Sequence, residues 1–184
     1  MNKTIIVAGM LSFAALLSGA ENLMKKPEVS YKVFPGRWYQ DLLKSKTLGP
    51  TIDPDLDRAT NKRKGLLADG KTFQRAVVYN YHRTPQDLCF VTIEIDLGKP
   101  RSLSEIRVMA VENNEMYRPA KIEVAGGPDN LNCKALGTST EWSKKGYVLT
   151  AVLKGDWKDC RFLQIKVHCA SSWINVSEIE VYDK

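Results

Sequence analysis

Two short segments of the chain gather side chains that can grip a polar ligand. Glu112-Asn113-Asn114-Glu115-Met116-Tyr117-Arg118 combines amides, a phenol and a guanidinium, and His168-Cys169-Ala170-Ser171-Ser172-Trp173 ends on an indole. A flat aromatic face stacks on the C–H groups of a ligand ring, while planar amide and guanidinium groups satisfy its polar atoms. That is reversible binding chemistry, with Trp173 as the platform and Arg118, Asn114 and Tyr117 as its polar partners. Each has a plainer alternative. Large aromatics usually pack, so Trp173 also reads as a core or loop-anchoring residue. Arg118 equally suits a surface ion pair with Glu112 or Glu115. Trp38, Trp142 and Trp157 read as packing residues.

Catalytic chemistry has less support. The histidines are His82, in the loop-like Tyr81-His82-Arg83-Thr84-Pro85, and His168, on the polar face of an alternating run. No G-x-S-x-G, H-E-x-x-H or P-loop pattern occurs. A pair of carboxylates that meets only in the fold stays open, and the expectation is a chain that is not an enzyme. Basic residues cluster at Arg58, Lys62, Arg63, Lys64, Lys71 and Arg75, and again at Lys144, Lys145, Lys154 and Lys158. They suit an acidic polysaccharide or an anionic surface, or form a solvated face. No nucleic-acid motif appears, and nucleic acid is not an expected partner. Asn175-Val176-Ser177 fits the pattern of a glycosylation acceptor.

The frame that positions these groups is read from patterning. The chain has 184 residues, 27 basic and 21 acidic, a net charge of +6 and 43% hydrophobic residues. That composition argues against a mainly disordered, collagen-like or multi-pass membrane protein. Residues 1–20 form a signal peptide: Lys3, an uncharged apolar run from Ile5 to Leu17, then Ser18-Gly19-Ala20 before Glu21. An uncleaved anchor is the alternative, but the run is short for a span. No transmembrane segment is expected after cleavage, and the chain is expected to be secreted, periplasmic or on the cell surface. Cys89, Cys133, Cys160 and Cys169 all follow the leader. An even count in an exported chain reads as two disulfides with three connectivities open; free thiols are the alternative, and their spacing does not suit zinc.

Residues 21–65 are punctuated by Pro27, Pro35, Pro50 and Pro54 and read as an opening strand near Val29–Val33, a short helical turn at Trp38–Lys44, and loops wrapping the body. Residues 66–184 form the body of the same domain. There, Val91, Ile93, Ile95 and Leu97 alternate with polar residues, as do Leu163, Ile165 and Val167. Shorter runs occur at Val77–Tyr81, Ile106–Ala110, Ile122–Val124 and Tyr147–Leu153. Ile174 and Val176, then Ile179 and Val181, alternate with a phase slip at Ser177-Glu178, which predicts a bulge or turn. Gly98-Lys99-Pro100, Gly126-Gly127-Pro128-Asp129 and Lys154-Gly155-Asp156 read as turns. The expectation is all-β: an antiparallel sandwich or barrel.

Several segments together resemble a known family. Leu66-Leu67-Ala68-Asp69-Gly70 is similar to the "L-x-D-G" of bacterial discoidin (coagulation-factor C-type) domains, in the galactose-binding-like superfamily. Val91 to Gly98 with Ile106-Arg107-Val108 resembles the "I-D-L-G…I-x-x-V" strand pair. Tyr117-Arg118-Pro119-Ala120-Lys121-Ile122-Glu123-Val124 resembles "Y-x-P-x-x-I-x-V". Arg161 to Val167 with Ser177 to Tyr182 resembles the closing "R-Y-x-R-I…x-E-I-x-V-Y". The chain is also similar to family 32 carbohydrate-binding modules. The resemblance implies a jelly-roll β-sandwich that binds carbohydrate through end loops without catalysis. An adhesion or assembly role on a protein or membrane surface is the alternative, with Met116 as an apolar tip. It implies a structural Ca²⁺ on Asp69 and Glu178 with backbone carbonyls, although the Thr-x-Trp of calcium-binding relatives is absent after Gly70. The alternative is a turn made by Asp69 with Gly70, and a basic partner for Glu178. It also implies the pairs Cys89–Cys169 and Cys133–Cys160. Cys133 stands where the family commonly has a core tryptophan.

Overall fold

In the computed structural model, residues 21–35, 56–57, 62–63, 66–73, 77–80, 89–171 and 173–184 are described. The expected signal peptide, the expected helical turn at Trp38–Lys44, His82 with its expected loop, and basic residues Arg58, Lys64 and Arg75 lie outside them. The strands are β1 (Ser30–Pro35), β2 (Leu56–Asp57), β3 (Lys62–Arg63), β4 (Val77–Asn80), β5 (Phe90–Val111), β6 (Pro119–Gly127), β7 (Lys134–Ser139), β8 (Ser143–Lys145), β9 (Val148–Cys169) and β10 (Trp173–Asp183). Helix among the described residues is confined to 3-10 turns at Leu23–Lys25, Leu66–Ala68 and Glu115–Tyr117.

Two long strands, β5 and β9, build the frame. They pair antiparallel along their whole length, from Phe90 opposite His168 to Val111 opposite Val148. The register shifts between Asp96 and Glu105, and there the hairpin bends. Its first half takes β1 on one side and β6, then β7, on the other. Its second half takes β10, then β4, on one side and β8 on the other. Folding the hairpin on itself makes a sandwich of two layers. Val91, Ile93, Ile95 and Leu97 from the first half share one core with Ile106 and Val108 from the second, together with Leu163, Ile165, Ile179 and Val181. Alternation drives this, because successive side chains on a strand face opposite sides.

The chain does not turn at Gly98-Lys99-Pro100 or Lys154-Gly155-Asp156, as the sequence suggests; the strands run on through both. Gly98 has φ of 78°, and a Cβ there would lie 2.8 Å from Glu28 Cγ. A Cβ on Gly155 would lie 2.4 Å from the Trp157 ring. Glycine lets both strands bend without breaking. The bend puts the start of β5, its end, the start of β9 and its end at the same end of the sandwich. The phase slip at Ser177-Glu178 is a register shift between Val176 and Glu178 in β10. Asn175 is 1% exposed and donates to Val111 O at 3.1 Å, so its side chain is a core bond and not an accessible glycan acceptor.

Candidate functional site

The end of the sandwich opposite the bend carries both ligand-gripping segments. Leaving β5, the chain is held to the β8–β9 turn by Glu112 N donating to Tyr147 O at 2.8 Å. Asn114 then caps the 3-10 turn: its Oδ1 accepts from Met116 N at 2.9 Å. The second segment docks on the first. Ala170 N donates to Arg118 O at 2.8 Å, and Ser171 Oγ lies 3.4 Å from Met116 O. Tyr117 and Trp173 stack with ring centroids 5.4 Å apart at 41°. All four sequence-predicted ligand residues therefore meet on one end.

They divide in role. Asn114 and Arg118 line an open cleft of roughly 750 Å³, with Glu112, Trp142, Lys144 and Tyr147. Tyr117 and Trp173 are not among its lining residues; their half-buried rings brace the segment that carries Arg118. The Glu112 carboxylate sits in the cleft, 8% exposed. Lys144 Nζ is 2.6 Å from its Oε2, and Arg118 Nε 3.9 Å from its Oε1. Arg118 thus makes the ion pair that the sequence allowed, and stays 63% exposed. Glu112 and Glu115 balance Arg118 and Lys144, so the described residues of the cleft carry no net charge.

Tyr147 and Phe73 are the residues that sequence patterning missed. Both are exposed, with centroids 6.0 Å apart at 53°. Water-facing aromatics are what a sugar face stacks on, and Tyr147 lines the cleft. The available signal was an aromatic placed in turn-like sequence, directly after Gly146 in one case and three residues after Gly70 in the other. Trp142 and Trp157 pack on the core, with their indole N–H groups donating to Ala120 O and Leu136 O. Trp38 lies outside the described residues. His168 belongs to a different face, beside Glu123 at 3.3 Å and the Phe90 ring. Burial holds its pKa below the ordinary histidine value, with Glu123 opposing.

Asp69 and Glu178 also meet. Glu178 is fully buried, and its Oε1 accepts from Gly70 N at 3.0 Å. Its Oε2 is buried without a hydrogen-bond partner among the described residues. Burial, then the charges of Asp69 and Glu180, pushes its pKa up to about 7 against the pull of the Gly70 N–H and Lys25. Asp69 accepts from Lys71 N at 2.8 Å, the turn that the sequence allowed, with Lys71 Nζ at 3.8 Å. A buried carboxylate oxygen with no donor, next to a second carboxylate, fits a hard cation. No group of three or more His, Cys, Asp or Glu is gathered for a metal among the described residues, so backbone carbonyls would have to complete the shell.

No bond joins the cysteines, yet each expected pair shares a neighbourhood. Cys169 N donates to Cys89 O at 2.9 Å, and Cys169 Sγ lies 3.3 Å from the same oxygen. Cys133 Sγ lies 3.9 Å from Phe162 O, two residues along the chain from Cys160, whose pKa the neighbouring Cys133 helps to raise. Burial raises the pKa of Cys133, Cys160 and Cys169, so these are not activated nucleophiles.

No family model matches the sequence, and no curated protein matches it. Solved structures do match in fold. The module CpGH89CBM32-6 of Clostridium perfringens is 16% identical, with a TM-score of 0.54 over 89% of this chain and all of that one. The family 32 module of C. perfringens NanJ, solved with galactose, is 14% identical with a TM-score of 0.52, over 85% of this chain and 94% of that one. An F5/8 type C domain from Bacteroides fragilis is 14% identical with a TM-score of 0.57, over 85% and 91%. The chain therefore shares the fold of these discoidin-like domains, an antiparallel β-sandwich.

Proposed function

We propose that this chain is an exported, non-catalytic module that binds a glycan in the end cleft. One observation carries the reading: a solvent-open cleft lined by an exposed tyrosine, Tyr147, together with the amide of Asn114 and the guanidinium of Arg118. Tyr147 offers the ring face, and Arg118 and Asn114 the polar contacts. Compensated charge favours an uncharged sugar in the cleft itself. The galactose complex of the NanJ module, and that of another C. perfringens module with GalNAc-β-1,3-galactose at a TM-score of 0.55, support a sugar as ligand. Asp69 and Glu178 would hold a structural Ca²⁺, and Cys89–Cys169 and Cys133–Cys160 would be closed after export. An adhesion role on a protein or membrane surface rests on Met116, 48% exposed on the end segment. A single apolar residue is weak support, since such residues are common on surfaces.

A glycan array probed with the purified exported chain, with and without calcium and at two salt concentrations, tests the reading. Salt-insensitive binding to neutral glycans, lost in Arg118→Ala, is expected. A blank array joined to binding of anionic or neutral vesicles, lost in Met116→Asp, would replace it with the surface reading.

A further inference from the structure

The outer face of the β5–β9–β8 layer carries a second groove. Alternation sends Ile106 and Val108 into the core and leaves Glu105, Arg107 and Met109 on the outside. Across the ladder, Lys154 stands opposite Glu105 and Thr150 opposite Met109. On the far side, β8 sets Ser143 opposite Thr150 and Lys145 opposite Val148. With Thr72, these side chains line an open groove of roughly 760 Å³.

Its charge is arranged by depth. Glu105 is recessed, 15% exposed, and lies between Arg107 and Lys154, the latter at 3.5 Å. Arg107 also reaches Glu180 on β10 at 3.3 Å. The ammonium groups lie outermost. Lys154 is 76% exposed, and exposed Lys145 has no carboxylate within ion-pair distance among the described residues. Three cations thus line the groove over one sunken carboxylate. Its margin meets the end cleft, because Thr72 precedes Phe73, whose ring contacts Tyr147, and adjacent Lys144 and Lys145 divide between the two.

We propose that this groove binds an acidic polysaccharide, a chain bearing uronate or sulfate groups, through Lys145, Lys154 and Arg107. The chemistry fits: spaced exposed ammonium groups for the anions, Thr72 and Thr150 hydroxyls for ring hydroxyls, and aliphatic Met109, Val148 and Val152 among the lining. Among the described residues that line it there is no aromatic face for nucleic-acid bases, and a groove is concave where a lipid surface is planar. The proposal stands apart from the end-cleft reading, which concerns an uncharged sugar and other residues.

Binding to polygalacturonate and to heparin, set against neutral dextran, duplex DNA and anionic vesicles, tests it at about 50 and 300 mM salt, across which exposed charges become strongly screened. The double variant K145E/K154E is expected to lose at least about tenfold in affinity for polygalacturonate at the lower salt, with circular dichroism unchanged. Glu105→Gln, which releases Lys154 and leaves Arg107 paired with Glu180 alone, is expected to bind severalfold tighter, and decides the matter if the double variant fails to fold. Unchanged polygalacturonate binding in K145E/K154E, or no gain in Glu105→Gln, would overturn the proposal. So would DNA or vesicle binding as tight as that of the polysaccharides.

Discussion

Lys144 Nζ lies 2.6 Å from the carboxylate of Glu112, which is 8% exposed on the cleft wall. The pair is a gate on charge. The Glu112 carboxylate neutralises Lys144 and lies 3.9 Å from Arg118 Nε, so the cleft suits an uncharged ligand. Glu112→Gln removes the negative charge with little change in shape. We expect the variant to gain affinity for galacturonate over galactose, by roughly twofold to fivefold as the exposed Lys144 and Arg118 lose their partner. Isothermal titration with both sugars checks this; unchanged relative affinity would show that the sugar does not meet these cations.

Tyr147 and Trp173 separate platform from brace. Tyr147→Ala is expected to lower glycan affinity roughly fivefold to thirtyfold, the loss of about 1–2 kcal/mol of ring contact, with little change in melting temperature. Trp173→Ala removes a half-buried ring stacked on Tyr117. It should cost about 2–4 kcal/mol of stability and weaken binding only through the displaced segment. Chemical denaturation alongside titration distinguishes the two; the reverse pattern would make Trp173 the platform.

Glu178 links stability to pH. Its pKa is raised from 4.5 to about 7 in the folded chain, so the native state holds a proton that the unfolded chain releases. Its contribution is fullest below about pH 4.5 and is lost as pH rises to about 7, a decline of roughly 2–4 kcal/mol. In chelator, Glu178→Gln should flatten that part of the profile. Urea unfolding across pH 4–8 measures it, and an unchanged slope in the variant would assign the decline to other groups.

A cation at Asp69 and Glu178 would reverse that trend. Calcium competes with the proton on Glu178, so its stabilisation should grow as pH rises. At 100 times its dissociation constant it would add about 2.7 kcal/mol. Melting curves at pH 5 and pH 8, with calcium or chelator, read this out, and Asp69→Asn should abolish it. Equal curves in calcium and chelator at pH 8 would remove the metal.

The cysteine pairs predict a redox difference. Closing Cys89–Cys169 and Cys133–Cys160 should each stabilise the chain by about 2–4 kcal/mol. Reductant should lower the melting temperature of the exported protein, and non-reducing peptide mapping should recover these two links. A thiol count of four in the purified protein would leave Cys89, Cys160 and Cys169 as buried core thiols and Cys133 as a half-buried one.

The strands with one buried face were legible in sequence, because burial demands alternation that local residues must carry. Val91 to Leu97, Leu163 to Val167 and the slip at Ser177-Glu178 all read correctly. β7 and β8 were not, since Lys134–Ser139 and Ser143–Lys145 bury little and carry no such pattern. The bends at Gly98 and Gly155 looked like turns, because glycine marks both and only the partner strand distinguishes them. In the site, the segments around Arg118 and Trp173 were visible from residue type alone. The ion pair of Glu112 with Lys144 and the contact of Phe73 with Tyr147 were not. Period along a strand reports which face a residue shows to the core; the residue it meets across the end depends on how the long hairpin folds over, and that is decided by packing of the two layers.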